Sequence, residues 1–185
     1  MRKLADIDIL TDEVLRGRMV AWSLAFLAAG AAACVLMFAA GVAEPFGLWW
    51  VSWLAVASIA ALPVHELVHA AAFKLLVPGA RVTFGFKDAF LYTSANGAVA
   101  RKAAEVCVLL APSVVETAVL GCAAVAAGCP ALAVALAATH LSGCAGDLLM
   151  VAEVVREPTC THVADAEFGI VLLQEEAPTP GGGAQ

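Results

Sequence analysis

The chain has 185 residues, of which 62% are apolar and 14% charged, with a formal net charge of −6 and a mean hydropathy of +0.90. Soluble domains average roughly 45–50% apolar and about 25% charged residues, so the apolar excess is more than one core of this size can hide. Lys+Arg is 10 against Asp+Glu 16 with no basic stripe, which excludes a nucleic-acid binder as the apolar excess excludes a cytosolic enzyme or a disordered segment; lipid is the solvent for much of the chain.

Residues 19–43 carry no Asp, Glu, Lys or Arg. At 1.5 Å per residue the stretch is about 37 Å long, enough to cross a hydrocarbon layer of roughly 30 Å with some tilt. Its apolar part is about twice a signal-peptide core and no clear cleavage site follows, so it reads as a retained first span. Glu44-Pro45 breaks the pattern, and a second run over 48–77 opens with Trp49, Trp50 and Trp53, residues suited to a membrane–water interface. In the loop 78–102, Val82, Phe84, Phe86, Phe90 and Tyr92 alternate with smaller or polar residues around Lys87-Asp88, the pattern of a short hairpin at the membrane surface. Third and fourth spans are expected over 103–127 and 131–155, separated by Gly128-Cys129-Pro130. The expected fold is therefore all-α and polytopic, with about four transmembrane helices and a β-hairpin between the second and third. A single domain covers 1–177, and 178–185 is a flexible Gly-rich tail.

Loop charges set the expected orientation. Arg2, Lys3, Arg16 and Arg18 precede the first span; Lys74, Arg81, Lys87, Arg101 and Lys102 surround the hairpin loop; the loop after the first span has no Lys or Arg. The positive-inside rule places both termini and the hairpin in the cytoplasm, as for an integral protein of a bacterial cytoplasmic membrane.

The chemistry is concentrated in the second span, which reads His65-Glu66-Leu67-Val68-His69. On a helix, histidines at i and i+4 share one face, so both imidazoles can reach one zinc ion while the intervening Glu acts on water at the metal. Ionisable groups inside a membrane are costly and point to function. A catalytic zinc takes three protein ligands, and the expected third is Asp147, in the fourth span among the small residues Gly143, Cys144, Ala145 and Gly146. Depth agrees: Leu48 to His65 is about 26 Å along a helix and Ala131 to Asp147 about 24 Å, in the same membrane direction.

His140 shares the Asp147 face but lies about 10 Å away along a straight axis, so it is expected to support the site or line its pocket, as are Glu116 and Ser142. His140 and Glu116 are the next candidates for third ligand. His162, with Asp165 nearby, reads as a solvated tail residue. The six cysteines form no C-x-x-C and serve as small apolar groups.

This constellation resembles the putative zincin-type membrane metallopeptidases related to the site-2 proteases. The resemblance covers roughly residues 55–172 and rests on the H-E-x-x-H motif with Phe73, on Leu109-Leu110-Ala111-Pro112, and on Ser142-Gly143 with Gly146-Asp147. It departs from the site-2 protease pattern in lacking Asn-Pro before the Asp, the Leu-Asp-Gly sequence and a PDZ-like insertion. It implies zinc bound by His65, His69 and Asp147, Glu66 as general base, and cleavage of a peptide bond within or beside the bilayer. The expected partners are a membrane protein or peptide substrate and the lipid itself. A substrate helix must unwind before attack, and the edge formed by Val82, Phe84, Phe86 and Tyr92 is expected to hold it by strand addition. The alternative function is a non-catalytic zinc-binding membrane protein with a structural, transport or adaptor role. Substrate, pathway and oligomeric state are left open by the sequence.

Overall fold

The computed structural model describes residues 1–9, 11–87, 90–95, 97–166 and 169–176. The hairpin tip at 88–89 and the proposed tail at 178–185 lie outside the described residues. Three helices are long and apolar enough to cross a membrane: α1 (Glu13–Ala39), α2 (Leu48–Leu76) and α3 (Lys102–Ala126). The Asp12 carboxylate starts α1 by accepting the N–H groups of Val14 and Leu15 at 2.8 and 3.0 Å. The expected fourth span is broken into α4 (Pro130–Gly143) and α5 (Ala145–Arg156), which meet at a bend of 58° and reach spanning length only as a pair.

Side chains such as Leu36, Ile59 and Leu67 project outward from α1 and α2, 59–69% exposed, as suits a lipid solvent. Between helices the packing depends on small residues. A Cβ added at Gly30 of α1 would lie 2.2 Å from the Ala138 Cβ of α4, so the closest approach of these two helices requires glycine. Nearby, the Cys34 thiol donates to the Ala131 carbonyl at 3.4 Å.

The α1–α2 loop closes one end of the bundle. Glu44 accepts hydrogen bonds from Trp50 Nε1 at 2.6 Å and from the backbone N–H groups of Leu132 and Ala131 at 2.7 and 2.9 Å. Pro130 starts α4, so the buried Glu44 serves as a cap borrowed from 86 positions earlier than that proline, placed where the helix dipole favours negative charge. Burial would raise the Glu44 carboxyl, but these hydrogen bonds outweigh it and hold it below the usual carboxylate range.

The other end is not all-α. β1 (Arg2–Asp8), β4 (Val99–Arg101), β5 (His162–Ala166) and β6 (Gly169–Gln174) form an antiparallel sheet in the order β1-β6-β5-β4. The stretches expected as a charged flank and the solvated part of a tail are thus paired with one another, and His162 is a strand residue opposite Arg101 and Leu173. The sheet forms because Ile7, Val163, Ile170 and Leu172 bury one face on Leu109 of α3 and Val154 of α5.

The expected hairpin is present as β2 (Thr83–Lys87) and β3 (Phe90–Ser94). Its faces differ from the expected stripe. Phe84 and Phe86 share one face and stand opposite Thr93 and Leu91, whereas Tyr92 stands opposite Gly85 on the other. Val82 precedes the strand and packs against the buried group that includes Phe73, Val77 and Val108. Partly buried there, it borders the core and lies outside the paired residues of the hairpin.

Candidate metal centre

α2 presents His65 and His69 one turn apart, and the start of α5 brings Asp147 to them. His65 Nε2 lies 3.1 Å and His69 Nε2 3.4 Å from Asp147 Oδ2, and the two Nε2 atoms are 3.2 Å apart. Three ligands of a tetrahedral zinc at about 2.0–2.1 Å would be separated by about 3.3 Å, so this triangle has the size of one face of a zinc site. The donor set, two imidazoles and a carboxylate, also suits that ion.

The orientation of His69 has a cause in α3. Pro112 lacks an N–H, which leaves the Val108 carbonyl without its helical donor. His69 Nδ1–H donates to that carbonyl at 3.0 Å, and this bond fixes the tautomer that turns Nε2 towards the triangle. Asp147 occupies the first turn of α5, where the helix dipole favours its carboxylate. A straight fourth helix would not start there; the bend at Gly143-Cys144 supplies a helix N-terminus at the depth of His65.

Glu66 is partly buried, its backbone carbonyl held by Thr93 Oγ1 of β3 at 3.0 Å. Together with His65 it borders two cavities. A smaller one, about 180 Å³, also contains His69, Asp147, Glu105 and Asp165. A larger, mostly apolar one of about 500 Å³ runs along Ile59, Leu62, Leu120 and Leu136.

The remaining expected residues separate. His140 is drawn towards the site by the bend, its ring 5.7 Å from that of His65. Both its nitrogens are engaged: Nε2 donates to Glu116 Oε2 at 3.1 Å, and Nδ1 accepts from Thr117 Oγ1 at 2.8 Å. His140 and Glu116 therefore satisfy each other within the bundle. Cys144 lies 3.8 Å from His65 Nδ1 and from both nitrogens of His140. His65, His140 and Cys144 form a second group of donors of similar size, but both nitrogens of His140 are taken up by Glu116 and Thr117. Ser142 borders neither cavity; its carbonyl accepts from Ser23 Oγ of α1 at 2.8 Å.

Two carboxylates at the centre were not singled out by the sequence reading. Glu105, in α3, is 1% exposed, and among the described residues neither of its carboxyl oxygens has a hydrogen-bond partner. The rule that flagged Glu116, an acid inside an apolar run, applies equally to Glu105. Asp165, set aside as a neighbour of a tail histidine, accepts from Ser94 Oγ and the Ala95 N–H, both at 2.7 Å, and so ties β5 to the end of β3. Burial pushes its carboxyl up, against the lowering influence of these bonds and of His69.

A sequence model of a family described as putative zincin peptidase matches residues 58–162, more than half of the chain, and the chain belongs to that family. The match runs from α2 through α5 and takes in every corner of the donor triangle. No curated protein and no solved structure matches the chain.

Proposed function

We propose that this member of the putative zincin peptidase family is an intramembrane zinc metallopeptidase that hydrolyses membrane-associated polypeptides near the cytoplasmic face. The observation that carries the reading is the triangle of His65, His69 and Asp147 donor atoms with Glu66 beside it on the same helix. These three residues would hold the ion. Bound zinc supplies Lewis acidity, which polarises a scissile carbonyl and makes water a better nucleophile. Glu66 takes the proton from the attacking water and returns it to the leaving amine. It is free to do so because the triangle is complete without it.

The hairpin is placed to present a substrate. Leu91, Tyr92 and Thr93 all border the smaller cavity although their side chains alternate between faces, which is the signature of a strand edge. An unwound segment can add to β3 there, its carbonyls aligned beside Glu66. The larger apolar cavity offers room for the side chains of a lipid-embedded segment. The loop charges support a cytoplasmic position for this end of the bundle in a bacterial-type membrane.

The test is zinc per chain in detergent for wild type, Asp147→Ala and Glu66→Gln, with a survey of new peptide termini in membranes expressing each. Asp147→Ala is expected to lose metal. Glu66→Gln is expected to keep one zinc per chain and produce no new termini. Equal sets of termini from wild type and Glu66→Gln would leave a non-catalytic zinc protein as the better reading.

A further inference from the structure

The smaller cavity has an imbalance that the hydrolytic chemistry does not use. Among the described residues its walls carry four carboxylates, Glu66, Glu105, Asp147 and Asp165, and neither Lys nor Arg. The metal-centred chemistry accounts for two of these groups. Glu66 and Asp147 are assigned to base and ligand, so the surplus falls on Glu105 and Asp165. Of these, Glu105 is the more telling: it is almost completely buried, and both oxygens lack any donor. Burying a carboxyl group without a partner is costly, so such a group in a folded protein calls for a purpose.

Among the described residues none supplies the missing partner. Lys102, one turn before Glu105 on α3, is the cation nearest in sequence, but its Nζ donates to the Glu157 carbonyl at 2.8 Å. A second metal ion is also a poor candidate. Among the described residues neither Glu105 nor Asp165 belongs to a group of three donors close enough to hold one. A cationic nitrogen entering with the substrate meets the need, since an ammonium or guanidinium brings both the charge and the donors that Glu105 lacks. A cavity of about 180 Å³ has room for it; at ~30 Å³ per water this equals about six waters.

We infer that Glu105, with Asp165 beside it, forms a specificity subsite for a positively charged group of the substrate, either a Lys or Arg side chain next to the scissile bond or a free α-ammonium. This rests on the zinc-peptidase reading, because the same cavity holds the donor triangle. The two chambers meeting at Glu66 then differ in kind: one takes apolar side chains and the other takes a cation. The preferred substrate is a membrane segment cut where its apolar run lies beside a positive charge.

The test uses the full-length, zinc-loaded protein in detergent and four short peptide hydroxamates, whose hydroxamate group seeks zinc. Two carry Lys and two carry norleucine at the residue nearest the hydroxamate, each with a free or an acetylated N-terminus. Dissociation constants are measured by displacement of a fluorescent hydroxamate, and zinc content is measured on the same samples. Wild type is expected to bind the lysine probe, or the free-amine probe if the α-ammonium is the ligand, at least ten-fold more tightly than its neutral counterpart. Glu105→Gln is expected to keep its zinc and reduce that preference to within two-fold. Equal binding of all four probes by zinc-replete wild type overturns the cation subsite and leaves the metallopeptidase reading standing. Failure of wild type to take up zinc overturns both. Because the wild-type comparison requires no substitution, it decides the matter even if Glu105→Gln fails to fold.

Discussion

Pro112 orients His69. By having no N–H to offer the Val108 carbonyl, the proline on α3 leaves that oxygen to the imidazole on α2, which it holds at 3.0 Å. Pro112→Ala restores the helical donor and makes it compete with His69. Zinc affinity is expected to fall by about 10–100-fold, as for other groups that orient a ligand. The helix should meanwhile be no less stable, since alanine is favoured over an interior proline by ~3 kcal/mol. Titration against a chromophoric chelator, with thermal unfolding of the zinc-free protein alongside, reads the two opposite effects. Unchanged zinc affinity would remove Val108 from the account.

The His140–Glu116 pair predicts a non-additive pair of substitutions. His140→Leu strands a buried carboxylate and is expected to cost about 3–5 kcal/mol. Glu116→Leu added to it removes the stranded group and should recover much of the loss. Zinc content should stay near one per chain in both, because neither residue is at the triangle. Loss of metal in the folded double variant would return His140 or Glu116 to the list of ligands.

Glu44 gives the molecule an acid-sensitive cap. Its folded-state pKa lies below the usual carboxylate range, so the stabilisation is fully present above the unfolded pKa and is lost as pH falls through the folded one. Glu44→Gln should flatten that acid limb of the stability curve. Glu44→Ala, measured at pH 7 by thermal unfolding in detergent, should cost about 1–3 kcal/mol for hydrogen bonds made to a charged acceptor. An acid limb identical in wild type and Glu44→Gln would show that the cap does not report on pH.

The α1–α4 contact can be checked by exchanging sizes. Gly30→Ala drives a methyl into Ala138 and is expected to destabilise the protein by about 1–3 kcal/mol. Ala138→Gly removes the opposing methyl and should restore most of the loss in the double variant. If the two effects simply add, the helices do not meet there.

The sequence was most legible where periodicity and chemistry coincide. The H-E-x-x-H spacing placed His65 and His69 on one helical face, and matched depths brought Asp147 to them. His140 was expected to support the site or line its pocket, and it borders the larger cavity; what a straight-helix count left out is the 58° break at Gly143-Cys144. Ser142-Gly143 is a Gly/Ser pair of the kind at which helices bend, a weaker signal than proline but present in the sequence. The sheet was missed for another reason. β1 pairs only with residues more than 160 positions away, so its own neighbourhood does not reveal it, whereas β6 pairs locally with β5 across two residues, a hairpin hidden by reading the segment as a solvated tail. Pro112 was noted as part of a motif, but its effect depends on which carbonyl it frees and what stands opposite, and that is a property of packing.

The far-apart pairing of β1 with β6 also sets a schedule for synthesis. α5 carries the aspartate of the triangle and rests on a sheet whose interior strand, β6, is the last described element to leave the ribosome. The two histidines are translated about a hundred residues earlier, as positions 65, 69 and 169 show. Until the closing strand docks beside the first, the aspartate lacks its fixed seat, so a nascent chain is expected to emerge inert and become competent only when its two remote ends have clasped.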